Sequence, residues 1–442
     1  MALVTLPVLL CVIPLTWLAA AVLPLRRKPI ALALGGLSLT VLTGGAVSAI
    51  LTAVSVCAGW LTVRLLPLRA QYRRRCAVWG QIGGAIQLLL LAAGVLLLPE
   101  PVSRLPLLLC VMQSLDCIRL RSLGQLHIPA LSAFFSYQLA LPRLFCGPVQ
   151  SYPAAEAQMR ECAPSALSAG RGALHCTLGL MQCVLLSAPM FTLRAELTAQ
   201  RAAVSALDTW LLLLIFYCAV YYAVRGLAEI GCGLAALCGY TVPEPFRSPL
   251  AARSLTDFAE RWLTWCVPWC RRVLLRDGLP LDNMTYFLRM LLFFSGTGFC
   301  FRPGLPVFVW AVFFAAAFTC GRMLRLSGAQ IPHLAGRILA ALVILLGSGL
   351  LQAETVTAGI GMLRALAGAN GFFVTGAAAY LLKIHWVPLL CAVVGLLPLG
   401  HAAGKLQQKS RFFARAGAVL IPLTELAVLL LCITELMRKW AA

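Results

Sequence analysis

Apolar runs of about eighteen residues or more, nearly free of charge, recur along the whole chain. Inside lipid every backbone amide and carbonyl needs a partner, which only helices and closed barrels provide. These runs are too long and too continuous for barrel strands, so the chain reads as an all-α polytopic membrane protein. Charged residues make up 12% of its 442 positions, about half the share in a soluble domain. No stretch is polar enough for a soluble domain, and 1–442 reads as one membrane-embedded domain.

The candidate spans are 3–24, 31–43, 46–66, 77–98, 128–147, 172–193, 207–227, 285–301, 305–320, 335–352, 371–396 and 415–436. The first run ends in Arg26-Arg27-Lys28, the reverse of a signal peptide's charge order. It reads as a retained helix with the N-terminus outside and the basic end in the cytoplasm. Arg64, Arg69, Arg73, Arg74 and Arg75 form the strongest basic cluster. That cluster falls on the same side only if the chain turns back once, and Gly44-Gly45 offers the turn. Arg438-Lys439 also reads as cytoplasmic, so the number of crossings is odd, about eleven. One of the runs is then re-entrant or interfacial.

The net charge of +21 is spread singly or in pairs over the ends of apolar runs. This fits contact with lipid headgroups and argues against a nucleic-acid partner. The eighteen Cys lie mostly within apolar runs, where thiols act as small hydrophobes. Cys266 and Cys270 share a helix face, but no His or Cys cluster joins them, so no metal site is expected. There is no P-loop and no glycine fingerprint for a nucleotide or flavin. Ionisable residues within the runs are Asp208, Glu229, Lys383, His385 and Glu425. Each is a functional candidate, because a charge in lipid is costly. The structural alternative has Lys383 snorkelling and Glu425 pairing with a neighbouring helix.

One stretch breaks the pattern: PEPFRSPLAARSLTDFAERWLTW, 243–265. Ser254 and Asp257 have capping-box spacing, and Leu255, Phe258, Trp262, Trp265 and Trp269 recur at steps of three or four. The spacing predicts an amphipathic helix over 254–269 with Asp257, Glu260 and Arg261 opposite, lying in the membrane interface. Pro268 should end or kink it. Pro243, Pro245 and Pro249 should hold an extended approach.

This stretch resembles the membrane-bound O-acyltransferase (MBOAT) family, in the bacterial branch of alginate O-acetyltransferases and teichoic acid D-alanine transferases. That branch carries P-E-N-F-x-x-P, then S-x-x-E/D-F-W-x-R-W-H, then W-x-R-D. Here the pattern stands as Pro243-Glu244-Pro245-Phe246, Pro249, Ser254, Asp257-Phe258, Arg261-Trp262, Trp269 and Arg271. Residues 133–152 resemble a second family segment through Gly147-Pro148-Val149 and Tyr152. Residues 226–233 resemble a third, with Glu229 in place of Asp. Residues 295–310, starting at Ser295-Gly296, resemble the S-G-L-W-H-G loop and the helix after it, and 353–371 resemble the segment after F-F-R-A. The resemblance implies a helical bundle around a central funnel in a bacterial cytoplasmic membrane. It implies transfer of an acyl group, acetyl-like, from a thioester donor (acetyl-CoA or an acyl carrier protein) to a hydroxyl of an envelope polysaccharide or similar acceptor. No bound cofactor is implied.

The family's polar chemistry is replaced here. The membrane-embedded His, which would take the hydroxyl proton, falls among Phe299, Cys300 and Phe301. The second family His is Leu263, the Asp of W-x-R-D is Arg272, the Asn of P-E-N-F is Pro245, and the Arg of F-F-R-A is Gln352. Scaffold positions are kept. Two readings stay open: an enzyme with an altered active site, for which Cys300 and His385 are the replacement candidates, or a non-catalytic protein on the same fold. The latter would serve as a scaffold, as an acyl or lipid passage, or as partner of an active paralogue or of an extracytoplasmic transfer protein. Among the five His, only His385 is expected at membrane depth. An unrelated secondary transporter would show two related halves, and the chain has no internal symmetry.

Overall fold

A computed structural model describes residues 8–24, 27–67, 73–147, 149–161, 164–199, 205–276, 281–328, 332–396 and 411–441. Helices account for nearly all of its regular structure. In chain order they are α1 (Ile13–Val22), α2 (Lys28–Leu65), α3 (Arg73–Leu97), α4 (Pro101–Ser122), α5 (Leu131–Leu139), α6 (Tyr152–Glu161), α7 (Ala166–Met181), α8 (Ala188–Ala199), α9 (Ala206–Leu237), α10 (Leu255–Arg261), α11 (Cys266–Cys270), α12 (Asn283–Phe301), α13 (Leu305–Leu326), α14 (His333–Gln352), α15 (Val356–Leu366), α16 (Gly376–Ile384), α17 (Trp386–Gly395) and α18 (Arg411–Ala441). A wider π turn, Gln182–Ser187, joins α7 to α8 into one apolar run, Ala166–Ala199. Among the described residues nine helices are long and apolar enough to cross a membrane, or ten if the bent pair α16–α17 counts as one span. The protein is an all-α polytopic membrane protein.

Two expectations about the spans change, while the break expected at Gly44-Gly45 is present. The runs 31–43 and 46–66 are two helical segments that together make up α2, parted at Gly45, whose backbone leaves the helical region (φ 68, ψ −168). At about 1.5 Å per residue its 38 residues exceed one bilayer core of about 30 Å, and the glycine takes up the bend. The run 128–147 is not a span. It holds α5, of 9 residues, and a 3-10 turn, Leu141–Leu144. The second change is α4, a membrane-length helix absent from the expected spans. Arg104, Asp116, Arg119 and Arg121 dilute its hydropathy, yet 72% of its apolar window is buried. Pro101 starts it without loss of a needed N–H. Gly124 (φ 74) ends it in a Schellman motif, with Gln125 N–H on Leu120 O at 2.9 Å and Gly124 N–H on Arg121 O at 3.0 Å.

Contacts group the chain into two units: Met1–Cys176 with Ala228–Pro245 and Leu263–Gly304, and Thr177–Leu227 with Phe246–Trp262 and Leu305–Ala442. In the first, α4 packs on α2, α3, α5 and α12. Polar side chains bond across these helices, as buried groups in lipid must. Ser55 Oγ donates to Gln87 Oε1 at 2.6 Å, Gln87 Nε2 to Ser55 O at 2.9 Å, and Gln138 Nε2 to Ser114 Oγ at 2.8 Å. Residues of α7 and α9 also meet here, at Gly172 and Gly233. A Cβ on either would lie 2.7–2.8 Å from the other's carbonyl oxygen. In the second unit, α13 packs on α14, α10 on both, and α8 on α16 and α17. Arg194 Nε donates to Gln352 Oε1 at 3.0 Å, so the residue at the family's Arg position accepts a guanidinium. Asp208 accepts from Thr375 N–H at 3.3 Å at the start of α16, and Glu425 accepts from Thr177 Oγ1 at 3.4 Å. Lys383 is exposed.

Candidate functional site

In the first unit the motif residues gather on α4. Gly147 has φ +94, a conformation that glycine adopts without strain. The Trp265 indole covers it and donates Nε1–H to Cys146 O at 3.2 Å. A Cβ on Gly147 would sit 2.6 Å from that nitrogen. Pro148 lies outside the described residues. Trp269 is buried against Leu109, Met112 and Val149, and its Nε1–H reaches Met112 O at 2.9 Å. Arg271 opens the turn after α11. The next residue, Arg272, donates Nε and Nη2 to the two oxygens of Asp116 at 3.2 and 3.1 Å. Asp116 has no solvent exposure. Burial pushes the Cys146 thiol up to about 12, which removes it as a thiolate nucleophile beside the glycine.

The polar stretch divides in two. Ser254 caps α10 and accepts from Asp257 N–H at 3.1 Å, as its spacing predicts. Asp257 reaches back to Arg253 N–H at 2.8 Å and across to Arg261 Nε at 2.7 Å. Burial opposes ionisation of Asp257, but the Arg261 side chain and the Arg253 amide outweigh it and hold the carboxyl below its ordinary value. The helix then stops seven residues in. Leu263 takes φ +45, and α11 starts three residues later. The expected helix over 254–269 is therefore two short helices broken at Leu263, and Pro268 sits within α11 instead of ending a longer one. A tertiary contact overrides the pattern here. Phe258 and Trp262 join Phe246, Tyr217 and Tyr221 in an aromatic nest, with Phe246 and Trp262 rings 5.2 Å apart and Phe246 and Tyr221 5.7 Å apart. Trp265 and Trp269 pack in the first unit. Pro249 is buried in a 3-10 turn, Pro249–Ala251. Thr264 closes the approach, its N–H on Pro245 O at 2.9 Å and its hydroxyl on Glu244 O at 2.7 Å.

The expected span 285–301 is present as α12, and the loop that the resemblance implies from Ser295 is part of that helix. Ser295, Gly296, Phe299, Cys300 and Phe301 all belong to α12. Ser295 Oγ is buried without a partner among the described residues. Cys300 is buried, and its carbonyl accepts from Arg104 Nη1 at 3.4 Å. Nothing at these positions can take a proton near neutral pH.

His385 stands at the 75° bend between α16 and α17. It is not isolated: Nε2 lies 2.8 Å from Glu196 Oε2. Nor is it the sole histidine in an apolar span. His175 of α7 lies within Ala166–Ala199, and its Nδ1 is 2.7 Å from Glu229 Oε2. The glycine contact sets this meeting, since His175 is one turn beyond Gly172 and Glu229 one turn before Gly233 on oppositely running helices. Cys176 adds a thiol contact to Ile230 O at 3.9 Å. The Glu229 side chain is 12% exposed and that of His175 37%, so the dyad is buried on its acidic side and open on its basic side. Glu244, from the PEPF motif, lies within electrostatic reach of His175. The structure thus sets Glu229 against His175, a histidine that was not an expected site residue, with the charge of Glu244 in its neighbourhood. Among the described residues no group of three or more His, Cys, Asp or Glu could hold a metal ion.

No protein-family model matches the chain, and no curated protein matches its sequence.

Proposed function

We propose that this integral membrane protein is an acyltransferase of the membrane-bound O-acyltransferase type, with its base moved from the family position to His175. The observation that carries the reading is the 2.7 Å contact between His175 Nδ1 and Glu229 Oε2. A carboxylate on Nδ1–H fixes the tautomer and leaves the Nε2 lone pair free, the base-and-orienter arrangement of nucleophilic acyl transfer. In the step, the acceptor oxygen bonds to the acyl carbon of a thioester as the C–S bond breaks. His175 Nε2 takes the hydroxyl proton and returns it to the departing thiolate. Glu229 stabilises the imidazolium formed between the two events. The acceptor class, a polysaccharide hydroxyl, rests on the motif resemblance at 243–271.

A second reading is favoured by the apolar filling of the family's His positions, Phe299 to Phe301 and Leu263, and by the structural use of Arg272 on Asp116. On that reading the protein is a non-catalytic member that serves an active paralogue. The test is thioester turnover. Protein in nanodiscs is given acetyl-CoA labelled in the acetyl group, with a neutral oligosaccharide and water as acceptors. The catalytic reading expects thiol release above buffer with no label retained on the protein. Label held at Cys300 would point to covalent catalysis instead. No release with this donor, nor with an acyl carrier protein thioester, would overturn the reading in favour of the non-catalytic one.

A further inference from the structure

Arg143 lies in the 3-10 turn after α5, and only 8% of it is exposed. Its guanidinium lies 4.6 Å from the Tyr137 ring centroid. Nη1 is fully buried and has no hydrogen-bond partner among the described residues. Asp116, whose charge acts on the same Cys117 and Tyr137 as that of Arg143, has both oxygens on Arg272. The Arg143 charge is not spent in that pair. A lysine so placed could shed its proton, whereas arginine cannot. A buried, unpaired cation is costly, so it calls for an anion.

Space for one exists. Arg143 lines a small pocket together with Pro29, Ser136, Gln150, Gln158 and Tyr240. The space open to a water's centre is about 20 Å³, room for about one or two waters. Among the described residues no Asp, Glu or His lines it, so none of these repels an anion. Pro29 belongs to the first turn of α2, and Tyr240 follows the end of α9. Two membrane-length helices end at this pocket, which sets it near a membrane surface where a water-soluble anion can arrive.

We propose that Arg143 and this pocket form a binding site for a single small carboxylate group, taken by the guanidinium fork through paired N–H donors. The pocket has room for one small anionic group of carboxylate size. The site is separate from the His175–Glu229 dyad and stands whether or not acyl transfer occurs.

The experiment is thermal and denaturant unfolding of the detergent-solubilised full chain, with sodium acetate replacing sodium chloride at constant ionic strength. The parent should gain stability along a saturable curve. At ten times the half-saturating acetate concentration, the folded-to-unfolded ratio should rise about elevenfold. Arg143→Gln should show no acetate dependence and, without acetate, should be at least as stable as the parent, because it removes an unpaired charge. Should that variant fail to fold, Ser136→Leu fills the pocket while keeping Arg143, and must also lose the acetate response. An acetate effect that is linear, or equal in parent and variants, would overturn the proposal. So would a parent that responds identically to chloride and acetate, or an Arg143→Gln chain that folds but is markedly less stable than the acetate-free parent.

Discussion

The Asp116–Arg272 pair gives the sharpest stability prediction. Asp116 lies on the most buried membrane-length helix, with no exposure, and both its oxygens accept from Arg272. Arg272→Met keeps the apolar stem and removes both donors. It leaves a carboxylate in the core of the first unit without the two hydrogen bonds and the paired charge that Arg272 gives it. Breaking a buried pair from one side costs about 3–5 kcal/mol, roughly a hundredfold to several thousandfold in the unfolding equilibrium. Arg272 is itself about a third exposed, which places the expectation at the low end, about 3 kcal/mol. Removing both partners should be far milder, since no orphaned charge remains. Asp116→Leu with Arg272→Met should therefore recover most of the loss, within about 1 kcal/mol of the parent. The assay is SDS-induced unfolding in mixed micelles, followed by tryptophan fluorescence, as a double-mutant cycle. An Arg272→Met chain within about 0.5 kcal/mol of the parent would refute the reasoning. So would a double variant as damaged as the single.

Gly147→Ala should destabilise by about 1–3 kcal/mol, because alanine at φ +94 is strained and its Cβ would strike the Trp265 indole; a red-shifted tryptophan emission would report the freed ring. Gly172→Leu should force α7 from α9 and separate His175 from Glu229, and the His175 ring resonances in a histidine-labelled sample should lose their carboxylate-bound signature while other helices persist. Asp257 ionises more readily in the folded protein than in the unfolded chain, so its stabilising effect is complete above its ordinary value of 3.8 and is lost as pH falls below that value through the folded one. Asp257→Asn should abolish that part of the acid sensitivity of α10, seen as Trp262 fluorescence, and should lower stability modestly at neutral pH, where the contribution of the carboxylate is otherwise complete.

What the sequence disclosed depended on how local the cause was. The caps at Ser254 and the bend at Gly45 arise within a few residues, and both were legible. The membrane class followed from composition alone. By contrast α4 was hidden by its own polar residues: Arg104, Arg121 and Asp116 also bond to Cys300 O, Leu66 O and the Arg272 side chain, which lie far off in the sequence. Leu263 was illegible for a related reason. Nothing in its neighbours announces a positive φ, which tertiary packing imposes. His175 and Glu229 are 54 positions apart, and a helix-by-helix search for charge in apolar runs found only the glutamate. A signal was present in the small residues Gly172, Cys176 and Gly179 on α7 and Gly226 and Gly233 on α9, spaced for close helix contact. Read together, they align the histidine with the acid.

The direct measurement is the rate of thiol release from acetyl-CoA in nanodiscs for the parent, His175→Gln, His385→Gln and Cys300→Ala, each checked for folding by the same unfolding curve. With His175 as the base, His175→Gln should fall by about 10²–10⁴, while the other two stay near the parent. A parent rate that His175→Gln leaves intact, or that vanishes in Cys300→Ala alone, would contradict His175 as the centre of the chemistry.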